Sequence, residues 1–288
     1  MSSGKNILIT GASGFIGSEL ARAFLKDGWN VSAFVRKIPT DKIPGVIYHE
    51  FDLEHPKHIP GIHPDVLLHA AYVKQKKGTD AYDVNVKAAE FLLNEFCKSD
   101  SCFPVFISSL AASAEARSVY GKQKFAIGKL VENKNGTVVR PGLVLGNGGL
   151  FESMRTYLKT KQRIPLFGNG MQPIQSVHVD DLVHTLVKIC NERIKGNFVI
   201  AEDQPVPYRE FYQGLCDALN VKPKFVKAGF GTVSFLIFFG ELFGMKLPIA
   251  KDNLLGLKQM KKVDSKEDLK KLGVKVRSWK ESLKQLSQ

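Results

Sequence analysis

The chain lacks a metal-binding cysteine pattern, a long apolar run and a balance of acidic charge, and each shortage removes a class of protein. Its four cysteines, Cys97, Cys102, Cys190 and Cys216, form no CxxC pair and have no histidine cluster beside them. That argues against a zinc site or a disulfide framework and predicts reduced, mostly buried thiols in a cytoplasmic protein. A secretory leader is not expected, because strand-like sequence begins within a few residues of Met1. The most apolar stretch, Ala228 to Gly240, meets Glu241 before Leu242-Phe243-Gly244-Met245. Its uncharged run is shorter than the roughly 20 residues that a spanning helix needs. It reads as a buried helix or a lid over an apolar substrate, or else as a shallow membrane-surface contact beside basic charge.

Acidic residues are outnumbered, 28 against 41 Lys and Arg, for a net charge of +13. Lysine supplies most of the cations, and arginine, the better fork for phosphates and base edges, is scarce. No DNA partner is expected. The basic surface could serve RNA, a membrane face or anionic cofactors, or be a compositional habit without a partner.

What is present is an alternation of apolar strands with amphipathic helices. At 288 residues, 44% hydrophobic and 24% charged, the chain can bury one large α/β domain or a dinucleotide domain with a smaller cap. Strand-like segments fall at Lys5 to Thr10, Val31 to Val35, Val46 to Glu50, Val66 to Ala70, Phe103 to Ser108 and Thr137 to Arg140. Helical patterns cover Gly14 to Asp27, Ala81 to Phe96 and Tyr120 to Val131. This predicts a doubly wound parallel sheet of Rossmann type, with ligands at the carboxyl ends of its strands. Residues 1–145 would form the dinucleotide-binding domain, with 174–201 returning to it. Residues 146–173 and 202–288 would form a smaller, mainly helical substrate lobe.

The first strand runs straight into Gly11-Ala12-Ser13-Gly14-Phe15-Ile16-Gly17 and then into a helix with Phe15, Ile16, Leu20, Ala23 and Phe24 on one face. Strand, glycine turn and helix in that order let the backbone approach a pyrophosphate at a helix N-terminus, where free N–H groups favour negative charge.

Tyr120 and Lys124 stand four apart, on one helix face. A lysine ammonium beside a phenol stabilises the phenolate and is expected to lower its pKa, making a proton donor or acceptor usable near neutrality. Ser109, at the end of the fifth strand, could hydrogen-bond a substrate carbonyl and share developing oxyanion charge. It could also be a turn residue capping the next helix. His178, Asp180 and Asp181 read as a strand end leading to a helix N-terminus, where the aspartates would cap orphan N–H groups. Lys258 to Lys280 reads as a solvated helical face, its charge diluted by Asp264, Glu267 and Asp268.

ITGASGFIG, Asp52-Leu53, His69-Ala70-Ala71, Asn85, Ser108-Ser109, Tyr120-xxx-Lys124, Arg140-Pro141-Gly142 and Val177-His178-Val179-Asp180-Asp181 occur in order. Over about the first two hundred residues this resembles the extended short-chain dehydrogenase/reductase superfamily, specifically its NAD-dependent epimerase/dehydratase group. The resemblance implies that Gly11, Gly14 and Gly17 line the pyrophosphate, with Ser13, Phe15 and Ile16 of the same turn on the cofactor. It places Asp52 and Leu53 at the adenine, Ala70, Ala71, Tyr72 and Asn85 along the cofactor, and Pro141 and Gly142 beside the nicotinamide. Ser109, Tyr120 and Lys124 take the positions of the catalytic triad, with Lys124 also reaching the ribose.

An acidic residue about 20 positions beyond the glycines would bind the ribose hydroxyls of NAD. Val35 stands there instead, followed by Arg36 and Lys37. Two cations and no carboxylate suit the extra phosphate of NADP, unless Arg36 only opens a polar loop. Leu110-Ala111-Ala112 replaces the acidic pair of family dehydratases, and the stretch from Ser109 to Tyr120 is short for a sugar-nucleotide enzyme. The reading is an NADP-dependent oxidoreductase acting on a carbonyl or secondary alcohol, apolar or nucleotide-linked, in a monomer or homodimer. The alternatives are a sugar-nucleotide epimerase using NAD, or a non-catalytic NADP-binding sensor, assembly factor or RNA-binding protein.

Overall fold

Ile7-Leu8-Ile9, Val66-Leu67-Leu68 and Val105-Phe106-Ile107 are apolar at every position, the signature of strands covered on both faces. The computed structural model describes residues 4–74, 81–98, 101–222, 224–229 and 261–286. The first half runs β1 (Asn6–Thr10), α1 (Phe15–Lys26), β2 (Asn30–Val35), β3 (Val46–Glu50), β4 (Val66–His69), α2 (Ala81–Phe96), β5 (Phe103–Ile107), α3 (Val119–Asn133) and β6 (Thr137–Pro141). The second half runs β7 (Leu143–Leu145), α4 (Gly149–Lys161), β8 (Arg163–Phe167), β9 (Pro173–Ile174), β10 (Ser176–His178), α5 (Val179–Glu192), β11 (Gly196–Ile200), β12 (Val206–Pro207), α6 (Tyr208–Ala218) and β13 (Lys224–Ala228). Two further described helices follow, α7 (Lys266–Leu272) and α8 (Trp279–Leu286).

Seven parallel strands form the central sheet in the order β11-β6-β5-β4-β1-β2-β3. The order reverses between β1 and β4, which opens a crevice at their carboxyl ends. Alternation along β1 sends Ile7 and Ile9 to a core shared with Leu20 and Phe24 of α1 and Leu182 and Leu186 of α5. Leu8 faces the opposite core, with Leu92 and Leu93 of α2 and Ile127 and Val131 of α3. The chain is therefore a doubly wound α/β fold of Rossmann type.

Outside the main sheet, Phe151, Leu158, Ile164, Phe211, Leu215 and Trp279 form a separate apolar cluster. Three two-stranded sheets join it: β7 with β10, β8 with β13 and β9 with β12. The short strands β12 and β13 lie in a stretch whose sequence reads as mainly helical, because β12 has only two residues and Lys224-Phe225-Val226-Lys227-Ala228 of β13 shows neither strict alternation nor a continuous apolar run. The C-terminal segment returns to the body of the protein. The Gln175 side chain makes both backbone hydrogen bonds of Val263, each 2.8 Å, and Asp268 accepts from the Val199 N–H of edge strand β11 at 2.8 Å. That carboxylate satisfies a donor which an open sheet edge would otherwise present.

One sequence expectation fails here. Cys97 and Cys102 are joined in a disulfide, while Cys190 and Cys216 are free and buried as expected. The pairing follows from topology: α2 ends at Phe96 and β5 begins at Phe103, and the reversal between them brings the two Cα atoms to 5.0 Å. The apolar stretch from Phe230 onward, with Phe230, Phe235, Phe238, Phe239 and Phe243, lies outside the described residues. Among those that are described, no helix is long and apolar enough to cross a membrane.

Candidate active site

The glycine turn is set by close approach. Gly11 has φ +74°, donates its N–H to Phe34 O at 2.9 Å, and accepts from Gly14 N at 2.9 Å. A Cβ on Gly11 would stand 2.9 Å from the Ala71 backbone, and one on Gly17 would stand 2.2 Å from Gly11 O. At Gly14 the same atom would lie a looser 3.2 Å from Gly11 O. Ser13 and Gly14 are exposed at the start of α1, which has no side-chain cap and no acidic residue in its first turn. The helix N-terminus is thus left to an anion, and the turn fits a dinucleotide pyrophosphate. Ile16 is half-buried against the core. Phe15 packs on the loop that leads into α4: a Cβ on Gly148 would meet its ring at 2.5 Å.

Across the crevice, Thr10 binds the end of β1 to the end of β4. Its Oγ1 accepts from the N–H groups of Ala70 and Ala71, both at 3.2 Å, and lies 2.7 Å from His69 Nδ1. Burial and the neighbouring Lys124 bring the His69 pKa down to about 3, so the imidazole is neutral. The following segment is held by Asn85, which accepts from Val73 N at 2.8 Å and donates to Val73 O at 2.9 Å. Asn85 is buried with its amide engaged on the backbone, so it shapes the Ala70–Val73 segment. Tyr72 OH donates to Gln123 Oε1 at 2.7 Å, tying that segment to α3.

At the far end of the crevice β2 closes on buried Val35, and Arg36 and Lys37 follow it, exposed. Asp52 lies just past β3 and accepts from Glu54 N at 3.0 Å, while Leu53 is buried in the core shared with α2. Pro141 is buried at the end of β6. Gly142 donates its N–H to Ile200 O at 3.0 Å, and a Cβ there would stand 2.4 Å from Gln175 O.

Ser109, Tyr120 and Lys124 come together between β5 and α3. Ser118 caps α3 by accepting from Gly121 N at 3.0 Å. Gly121 lets the turn after Ser109 lie against this helix, since a Cβ there would be 2.5 Å from Ala111 O. Ser109 Oγ accepts from Ala111 N at 3.2 Å, and the Ser109 side chain is also hydrogen-bonded to Tyr120. It is a turn residue and a partner of the phenol at once; the cap belongs to Ser118. The Tyr72 and Tyr120 rings meet edge to face at 5.1 Å. Lys124 is buried, donates from Nζ to Ile107 O at 2.7 Å, and lies 4.6 Å from the Phe106 ring centre and 5.8 Å from that of Tyr120.

The electrostatics differ from the expectation of a lowered phenol. Burial pushes the Tyr120 pKa up, only partly opposed by the hydrogen bond from Ser109, and burial brings the Lys124 amine down to about 7. Desolvation outweighs the mutual effect of the pair because both groups sit in the same dry environment. Near neutrality Tyr120 therefore holds its proton.

Arg140 has a part that its sequence position alone did not disclose. It donates from Nε to Ser109 O at 3.4 Å and from Nη2 to Ala112 O at 3.1 Å, bracing both ends of the serine turn. At the later motif the strand end and helix start fall where expected, but the cap is His178 and not an aspartate, because Asp180 and Asp181 lie past it, inside the first turn. His178 Nδ1 accepts from Asp180 N at 3.2 Å at the start of α5. Asp181 is bound by Arg277 through Nη2–Oδ1 at 2.6 Å and Nε–Oδ2 at 3.0 Å. Among the described residues no group of His, Cys, Asp and Glu could hold a metal ion.

Residues 7–201 match the NAD dependent epimerase/dehydratase family. The chain belongs to that family. Its fold is that of the extended short-chain dehydrogenase/reductases, and the family is one of nicotinamide-dependent enzymes. Among curated relatives, the ceramide reductase of Caulobacter vibrioides is 25% identical over 236 residues, covering 77% of this chain and 73% of that one. Two solved structures, each 18% identical, show the fold. The human epimerase family protein SDR39U1 with NADPH gives a TM-score of 0.73, covering 98% of this chain and 99% of its own. MoeE5 in complex with UDP-glucose and NAD gives 0.74, covering 98% and 97%.

Proposed function

We propose that this chain is an NADPH-dependent carbonyl reductase whose substrate carries an apolar portion. The hydrogen bond between Ser109 and Tyr120, with Lys124 buried in the same site, is the observation that carries the reading. Gly11, Ser13, Gly14 and the first turn of α1 would hold the pyrophosphate, and Arg36 and Lys37 the extra phosphate. The nicotinamide, when bound, supplies a hydride to the carbonyl carbon. Tyr120 enters the step protonated and gives its proton to the carbonyl oxygen, which suits reduction at neutral pH better than oxidation. Ser109 donates a hydrogen bond to the same oxygen and shares its developing charge. Lys124, with a pKa of about 7, takes up a proton beside the phenolate left behind and stabilises it. The apolar substrate is supported by the name of the ceramide reductase relative and by the phenylalanines between Phe230 and Phe243.

The test is Tyr120→Phe, with NADPH binding read by fluorescence and ketone-dependent NADPH oxidation read by absorbance. Binding should persist while turnover falls about a hundredfold or more, the usual contribution of a positioned acid. Retained turnover sinks the catalytic assignment. Tight NADPH binding by the unaltered protein, with no oxidation by long-chain ketones or nucleotide sugars, favours a non-catalytic sensor or assembly factor.

A further inference from the structure

The strand pair β8 and β13 carries cations without counter-charges. The two run parallel, with Lys224 opposite Arg163 and Val226 opposite Pro165. Alternation buries Ile164 and Leu166 and leaves Arg163, Lys224 and Val226 exposed on the outer face. Lys159 and Lys161 end α4 just before β8, Lys222 precedes β13, and Lys227 lies within it; all are exposed.

The sequence has no Asp or Glu from Ser153 to Val179, nor from Ala218 to Gly240. The acids of the adjoining helices are engaged elsewhere. Glu152 pairs with Arg155 at 3.0 Å, Glu210 faces Lys280 at 4.0 Å, and Asp217 accepts from Gln213 at 2.9 Å. Among the described residues, none of the six cations is ion-paired with a carboxylate. Like charges directly opposite on neighbouring strands repel, so the pairing of Arg163 with Lys224 is a cost that an external anion would relieve.

We propose that the outer face of β8 and β13 docks on an anionic phospholipid surface. Lysines around a surface attract an anionic headgroup layer within a Debye length, and Val226 and Pro165 between them give the face an aliphatic centre suited to the edge of the acyl region. The sequence after β13 stays uncharged as far as Gly240. A nucleic-acid surface fits less well, because the cations are mostly lysine and alternate with aliphatic residues.

Co-sedimentation of the full chain with phosphatidylglycerol and phosphatidylcholine vesicles tests this, alongside a single-stranded RNA. The protein should bind the anionic vesicles and not the neutral ones, and release them in high salt. The variant R163E/K224E should lower the apparent partition coefficient about tenfold or more, whereas K270E/K271E on α7, with the same change of net charge, should not. R163Q/K224Q guards against misfolding. It should also lose binding while melting no lower than the unaltered chain, because a repulsion has been removed. Equal loss in the α7 control would reduce the effect to net charge and overturn the proposal. So would equal binding to both vesicle types, or patch-dependent binding to RNA without binding to vesicles.

Discussion

Lys124 donates its ammonium to the carbonyl of Ile107 at 2.7 Å, so the buried amine of the site is tied to the strand end that presents Ser109. Burial of that amine makes a testable contribution to stability. A lysine titrates at 10.5 in the unfolded chain and Lys124 at about 7 in the folded one. Between those values the unfolded chain binds a proton that the folded chain does not, so this group's contribution rises with pH across the window and is flat below it. Lys124→Met abolishes the dependence. The unfolding free energy of the unaltered protein minus that of the variant should be constant from pH 5 to 6.5 and then climb toward pH 10, by at most about 1.4 kcal/mol per pH unit. Urea titrations at pH 6, 7.5 and 9 measure it; a difference that stays level would mean that the amine is charged in the folded protein.

The glycines of the turn are not equivalent. A methyl at Gly17 would be forced to 2.2 Å from the Gly11 carbonyl, with backbone on both sides of the clash. Gly17→Ala should cost more than about 3 kcal/mol and abolish NADPH binding, the result expected of overpacking against atoms that cannot move aside. Gly14, at 3.2 Å and with an ordinary φ of −83°, should accept alanine with a loss of less than about 1 kcal/mol. Thermal melts and cofactor titration of both variants separate the two; comparable damage would contradict the packing argument.

Periodicity revealed the doubly wound half because its strands are buried on both faces and its helices are amphipathic, and both properties are local. Tyr120 and Lys124 were legible for the same reason, a helical spacing of four. What stayed hidden depends on contacts between distant segments. Arg140 becomes the brace of the serine turn only when β6 lies beside β5, and Arg277 reaches Asp181 across 96 positions. The Cys97–Cys102 bond depends on a chain reversal that a search for CxxC does not see. The direction of the Tyr120 shift is not in the spacing either, which reports a charged neighbour but not how much water has left both groups.

Arg36 stands exposed just past buried Val35, with no carboxylate at the strand end where NAD-specific folds place one. A charge-assisted hydrogen bond contributes about 1.5–3 kcal/mol. Arg36→Ala should therefore weaken NADPH about tenfold to a hundredfold and leave NADH unchanged, with the NADPH loss shrinking at high salt. Competitive fluorescence titrations decide it, and an unchanged preference would assign Arg36 to a polar loop.

Arg140 touches no reacting atom on this reading and acts through Ser109. Its guanidinium fixes the carbonyls of Ser109 and Ala112, and Ser109 in turn holds the Tyr120 phenol below the value that burial alone would impose. Arg140→Met should loosen that turn, lowering kcat about tenfold while leaving the KM for NADPH close to that of the unaltered enzyme, an effect of the size expected for one lost hydrogen bond. Because a displaced Ser109 no longer stabilises the phenolate, the basic limb of the kcat profile should move to higher pH. Arg140→Lys, which keeps one charged donor, should recover part of both changes. A fall in kcat with the limb unmoved would point to general loosening of the fold, and would remove the proposed link from Arg140 through Ser109 to the proton of Tyr120.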